Sequence, residues 1–234
     1  MSLINLGMAL APAIAIALFV YCKDKYEKEP VGVLFACFIF GMLICFPAGI
    51  WNSGVFEVFG FDSDAKDNNM LTSFFMAFFV VGLGEETLKY LVLILYAYRK
   101  ESFNEPFDGI VYAVMVSLGF AALENIFYVM EGGMGVAILR MFTAVPMHAG
   151  FAVIMGYYVG LAKFYKGSAA SKEKSLKGLF YAVLLHGFYD FVLFQDDLPL
   201  LGLLIFPMII WVFFLCRRAM KNHLKISPFN PSRK

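Results

Sequence analysis

Long apolar runs dominate the chain, at about residues 3–22, 31–56, 70–98, 107–130, 136–162, 178–194 and 199–216, with short polar connections between them. About twenty apolar residues carry an α-helix across the hydrocarbon layer of a bilayer. The pattern therefore predicts an all-α fold, a polytopic transmembrane helical bundle of about seven spans. Gly132, Gly133 and Gly135 mark the break between the fourth and fifth runs, and Glu105-Pro106 marks the start of the fourth. The sixth run is short and ends in a tight turn, Phe194-Gln195-Asp196-Asp197-Leu198-Pro199. Two readings follow, seven full spans as the leading one and a re-entrant pair for runs six and seven as the other.

Composition strengthens the membrane reading. Of 234 residues, 61% are hydrophobic and only 16% charged, where a globular chain is about half apolar and about a quarter charged. The mean hydropathy is +0.73. The whole of 1–234 reads as one membrane-embedded domain packed in the lipid bilayer, with a basic cytoplasmic tail at 218–234. A net charge of +1 gives no electrostatic reason to expect a nucleic-acid partner. Cys22, Cys37, Cys45 and Cys216 lie in or beside apolar runs without metal-ligand spacing and read as small hydrophobes. The first run lacks a basic flank before it and is long enough to span, so it reads as a first transmembrane helix and not as a cleavable signal.

The charges set an orientation, because short connections rich in Lys and Arg stay cytoplasmic. The first connection holds Lys23, Lys25 and Lys28, the third Arg99 and Lys100, and the fifth Lys163, Lys166, Lys172, Lys174 and Lys177. The tail adds Arg217, Arg218, Lys221, Lys225, Arg233 and Lys234. The alternate connections offer only Lys66 and Arg140, beside the acidic Asp62, Asp64 and Asp67. The N-terminus is expected outside and the C-terminus in the cytoplasm.

Some ionisable residues lie inside the runs, where each costs roughly 2.5–3.5 kcal/mol on insertion scales. Run three carries Glu85, Glu86 and Lys89, run four Glu124-Asn125, run five His148, and run six His186 and Asp190. Helical spacing puts Lys89 near both carboxylates, and His186 and Asp190 on one face. A rise of about 1.5 Å per residue places all of them between the midplane and the outer leaflet, which suggests one water-filled cavity opening outward. Gly82 and Gly84 permit close backbone approach, and Pro146 is expected to kink run five before His148.

Carboxylates beside histidines can activate water for hydrolysis, directly or through a metal. Ser73 and Ser117 are weak nucleophile candidates, since neither has an adjacent base or a GxSxG context. An ion- or proton-coupled transporter would also place such groups in mid-membrane, and a purely structural polar network ranks third.

The ordered motifs Glu85-Glu86-x-x-Lys89, Phe120-x-x-x-Glu124-Asn125, Pro146-x-His148 and His186-x-x-x-Asp190 resemble the PrsW family of bacterial intramembrane proteases, related to the CAAX prenyl protease and bacteriocin-processing superfamily. The resemblance covers about 80–217, the expected catalytic spans. It implies a multi-pass protein of the bacterial cell membrane that makes the site-1 cut in a single-span anti-sigma factor, near its extracytoplasmic side. Glu85, Glu86 and His186 would then be the most essential residues. Where many relatives in the superfamily have EExxxR, FxxxH and HxxxN, this chain has Lys89, Glu124 and Asp190, and two of those changes add acidity. Glu85, Glu86, Glu124 and Asp190 face only Lys89 and Arg140 as permanent cations, so protons or a divalent ion must balance them. The leading expectation is Zn²⁺ held by His148 and His186 with Glu124 and Asp190, and Glu86 as general base. A metal-free glutamic protease is the alternative.

Overall fold

A computed structural model describes residues 3–61, 69–165, 167–195 and 199–233. Every described element is helical. The order is α1 (Leu3–Lys23), α2 (Val31–Phe59), α3 (Met70–Phe75), a π-helical stretch Met76–Gly82, α4 (Leu83–Leu95), α5 (Pro106–Phe142), α6 (Ala144–Lys163), α7 (Ser168–Leu193) and α8 (Ile205–Ile226). Short 3₁₀ turns cover Ala97–Arg99, Pro199–Leu204 and Pro231–Arg233.

Among the described residues, five stretches are long and apolar enough to cross a membrane: Leu3–Lys23, Val31–Phe59, Pro106–Lys163, Ser168–Leu193 and Leu200–Ile226. The third is 58 residues long and joins α5 to α6. The α3–π–α4 rod, expected as run three, is divided by its π-helical centre.

Helix α5 is the axis of the bundle. From Pro106 to Ala122 every residue is buried, as expected of a helix that is apolar all round. Its start is well made: Pro106 takes the first helical position, and the Asp108 carboxylate accepts 2.7 Å hydrogen bonds from the backbone N–H of Asn104 and Glu105. Helices α1, α2 and α6 pack on α5, and α7 and α8 pack on α6. The peripheral helices turn large apolar residues outward, among them Phe35, Ile50, Trp211 and Phe213. Water would not tolerate that surface, but lipid does.

Two boundaries differ from the sequence reading and one agrees with it. The glycines at 132–135 do break the fourth run: Gly133, at φ 68° and ψ −154°, is non-helical and separates two helical pieces within Pro106–Phe142. A residue with a side chain would be strained there. A second break comes at Thr143, so Pro146 lies in the first turn of α6 and removes an N–H that has no helical partner to lose. The Lys-rich stretch expected as the fifth connection is largely helix, since α7 begins at Ser168 and runs 26 residues. Lysine is a good helix former, and the charged turns of α7 simply extend its apolar part. Likewise α8 runs on through Arg217 and Arg218 to Ile226, inside the expected tail. Asp62, Asp64, Lys66, Asp67, Lys166, Asp196, Asp197 and Lys234 lie outside the described residues.

The Lys-bearing connections gather at one end. Lys163 Nζ donates to the backbone carbonyls of Tyr98 at 2.5 Å and Lys100 at 3.5 Å. Gly160 packs directly on the Pro106 carbonyl and on His223. At the other end, the Ser73 hydroxyl donates to the Phe194 carbonyl at 3.4 Å.

Candidate active site and metal centre

The site begins with the irregular helix that precedes it. In Met76–Gly82 the backbone runs π-helical, and the α-helical register resumes at Leu83, so Glu85 and Glu86 fall in the first turn of α4. π-Helical turns are rare and concentrate at functional sites. Two neighbours hold this one. Trp51 of α2 donates its indole N–H to the Val80 carbonyl at 3.2 Å. From the other side α7 lies so close that a Cβ on Gly187 would stand 2.9 Å from the Phe78 Cα, and one on Gly82 3.1 Å from the Gly187 nitrogen.

Glu85, Glu86 and Lys89 are all buried. Lys89 Nζ lies 2.8 Å from Glu86 Oε1 and 3.3 Å from Glu85 Oε2, and sits over the Phe120 ring at 4.1 Å. The i,i+3 and i,i+4 spacing read from the sequence thus becomes one shared ammonium between two carboxylates. His186 reaches both acids: its Nδ1 is 2.9 Å from Glu86 Oε1 and its Nε2 is 3.9 Å from Glu85 Oε2. The same Nε2 lies 3.3 Å from Asp190 Oδ2, one turn along α7. Phe151 stacks on the His186 ring with centroids 5.0 Å apart.

His148 enters from α6. Its Nδ1 is 3.3 Å from Lys89 Nζ and its Nε2 is 3.0 Å from Glu124 Oε2. The two imidazoles meet edge to face, 5.2 Å between centroids. Ser117 donates to the backbone carbonyl of His148 at 2.9 Å, which accounts for one of the two serine candidates as a helix clamp. The other, Ser73, donates to the Phe194 carbonyl and makes no hydrogen bond to the acids or histidines.

Arg140 completes the constellation. The reversal at Gly133 folds the last turns of α5 back along the helix, which brings Arg140 against residues some fifteen positions earlier. Its Nη2 lies 2.8 Å from Glu124 Oε2, its Nε donates to Asn125 Oδ1 at 2.8 Å, and its guanidinium covers the Tyr128 ring at 4.0 Å. Asn125 in turn donates to the Ala9 carbonyl of α1 at 2.9 Å.

These groups face a cavity of about 460 Å³ whose walls include Glu85, Glu124, Arg140, His148, His186 and Asp190. Leu193, Phe194 and Ala144 also line it, so it lies toward the Lys-poor end. Glu86 and Lys89 stand behind that wall. All seven residues singled out in the sequence thus belong to one connected polar cluster. Sequence reasoning missed Asn52, whose side-chain amide donates to Glu85 Oε1 at 3.3 Å, because a lone uncharged amide in an apolar run gives little signal.

Donor atoms of Glu85, His148 and His186 lie within 4.8 Å of one another, all three residues buried. In a tetrahedral zinc site the donors are roughly 3.3 Å apart, given bonds of about 2.0–2.2 Å. Two imidazoles and a carboxylate beside a cavity fit a catalytic divalent metal after small side-chain movements.

Comparison with known proteins agrees with this chemistry. The family described as PrsW family intramembrane metalloprotease matches residues 29–216, well beyond the 80–217 stretch that carries the motifs. Protease PrsW of Bacillus subtilis (strain 168) is 38% identical over 216 residues, covering 92% of this chain and 94% of its own. Protease PrsW of Oceanobacillus iheyensis is 37% identical, covering 93% and 95%. Protease PrsW of Clostridioides difficile (strain 630) is 29% identical, covering 97% and 95%. No solved structure matches the chain. Buried acids and histidines around a cavity, apolar helices on every side and near full-length relatives converge on one assignment: the chain belongs to the PrsW family of intramembrane metalloproteases, multi-pass peptide hydrolases of bacterial membranes.

Proposed function

We propose that the chain is a zinc-dependent site-1 protease in which Glu85, His148 and His186 hold the metal, and that it cuts a single-span, anti-sigma-factor-like protein near its extracytoplasmic end. The observation that carries this reading is the convergence of those three donors at the wall of the 460 Å³ cavity. Charge supports it. Four carboxylates, Glu85, Glu86, Glu124 and Asp190, oppose two permanent cations, Lys89 and Arg140. The difference is two negative charges, the valence of one divalent ion.

When bound, the metal supplies Lewis acidity at the scissile carbonyl and lowers the pKa of water beside it. The chain's own groups do the rest. Glu86 accepts from His186 Nδ1 and so fixes that ring with its Nε2 toward the cavity. In this proposal Glu86 is a positioning residue in place of the general base expected from the sequence, because its Oε1 is engaged by Lys89 and His186 and the residue does not line the cavity. Asp190 lies on the cavity wall, its Oδ2 3.3 Å from His186 Nε2, and in this proposal it takes the proton of the attacking water. That proton passes to the leaving amine as the C–N bond breaks. Arg140, held by Glu124 and Asn125, presents a fixed positive charge to the developing oxyanion.

The placement of the cut follows from depth. The cavity lies toward the end that the Lys/Arg distribution assigns to the outside, and a helix unwinds most readily near its end, where its hydrogen bonding is incomplete. The deciding experiment reconstitutes the protein in liposomes with single-span substrates, with and without chelator. Cleavage that stops on chelation and returns with zinc supports the proposal, while cleavage by metal-free protein would replace it with the glutamic mechanism. The transporter alternative is not favoured by the family assignment.

A further inference from the structure

A second group of carboxylates lies at the Lys-bearing end of the bundle. It comprises Asp24, Glu27 and Glu29 from the α1–α2 connection, Glu105 just before α5, and Asp108 in its first turn. Sixteen residues of α5, about 24 Å of helix, separate Asp108 from Glu124, so this group is not part of the proteolytic centre. Asp24, Glu29, Glu105 and Asp108 are 0%, 1%, 0% and 0% exposed, and Glu27 is half-buried.

Burial without partners is what sets these acids apart. Neither carboxylate oxygen of Glu29 makes a hydrogen bond, nor does either oxygen of Asp24, Oε2 of Glu27, or Oδ1 of Asp108. The nearby ammonium groups are committed elsewhere. Lys28 donates to the backbone carbonyls of Tyr21 and Asp24, and Lys163 to those of Tyr98 and Lys100. Buried anions are normally paired or bound to metal, since leaving them bare is costly.

Donor oxygens of Glu27, Glu29 and Asp108 come within 4.8 Å of one another. We propose that Glu27, Glu29 and Asp108 form a second metal site, for a hard divalent cation such as Mn²⁺, Mg²⁺ or Ca²⁺, that fastens the α1–α2 connection to the start of α5. An all-oxygen donor set selects such cations over zinc, which favours nitrogen and sulfur. Asp108 is well placed for the task. Its Oδ2 is fixed by two backbone N–H groups, which leaves Oδ1 oriented and free. The bound ion would offset part of the group's negative charge and lock the first two helices onto the axial one.

Mn²⁺ binding followed by electron paramagnetic resonance on the full-length protein in micelles tests the site. A His148→Ala/His186→Ala variant removes the proteolytic centre from the measurement. That variant is expected to keep one Mn²⁺ that Mg²⁺ or Ca²⁺ displaces. Adding Glu29→Gln and Asp108→Asn should weaken Mn²⁺ binding about tenfold or more and abolish the Mn²⁺-dependent rise in melting temperature. Glu27→Gln alone, on a half-buried side chain that the fold does not need, should weaken it in the same direction and covers the case in which the double change fails to fold. Absence of Mn²⁺ binding in the histidine variant, or binding unaltered by Glu27→Gln, would overturn the proposal.

Discussion

Glu86 Oε1 lies 2.9 Å from His186 Nδ1, which turns the opposite ring nitrogen, Nε2, toward Glu85, Asp190 and the cavity. A carboxylate on the far nitrogen of an imidazole fixes its tautomer and raises its basicity as a ligand. This single contact separates two adjacent acids into different tasks, one facing the reaction and one facing the ring.

Glu86→Gln is therefore expected to lower zinc affinity by about 10–100-fold. Cleavage should fall with it and recover in part at high zinc, a response that loss of a general base would not give. Metal titration against proteolytic rate makes the measurement, and activity lost at every zinc concentration would return Glu86 to the role of base.

Asp190→Asn should behave in the opposite way. Zinc content stays near one per chain while kcat falls by about 10²–10⁴-fold, because the amide keeps the shape but takes no proton. Elemental analysis alongside single-turnover kinetics checks both halves, and metal lost together with activity would make Asp190 a ligand.

Arg140→Ala leaves Glu124 with a partly buried charge. The pair is 13% and 19% exposed, so the cost should sit near the low end for buried pairs, about 3 kcal/mol. Combining it with Glu124→Gln should recover most of the loss. Thermal unfolding in micelles measures the cycle, and additive losses would show that the pair contributes no coupling.

Reporter fusions at Asp64 and Ser171 should fall on opposite sides of the membrane, with Ser171 cytoplasmic. Mass spectrometry of the cleavage products should then place the cut at the extracytoplasmic end of the substrate helix. A cytoplasmic cut would contradict the depth of the cavity.

The polar cluster was legible in the sequence because charge inside an apolar run is expensive and so stands out. Glu85, Glu124, His148 and His186 could each be picked from a run where nothing nearby competes for attention. Arg140 was harder: it looked like part of a connection, and only the reversal at Gly133 carries it back to Glu124. The acids from Asp24 to Asp108 were hidden for the opposite reason. Charged residues between spans are ordinarily solvated, and no local pattern reveals that Glu29 and Asp108 are buried against each other. The length of α7 was misjudged because hydropathy marks where lipid begins, while the helix follows backbone propensity beyond it.

The π-helical stretch before Glu85 divides the rod into a part that tolerates deletion and a part that does not. Because an i→i+5 turn holds one residue more than an α-helical turn, loss of one residue between Met76 and Gly82 can be absorbed by relaxation to ordinary α-helical bonding, with the downstream helix keeping its angular phase. Loss of one residue between Leu83 and Glu85, where bonding is already α-helical, has no such slack. There the helix that bears the acids would swing by about 100° relative to Trp51 and Gly187, the angle of one helical residue. Both acids would turn away from His186 together, and a chain that still inserts and folds would carry a dismantled centre. The irregular turn thus acts as a slack store ahead of the catalytic face, which the regular helix after it lacks.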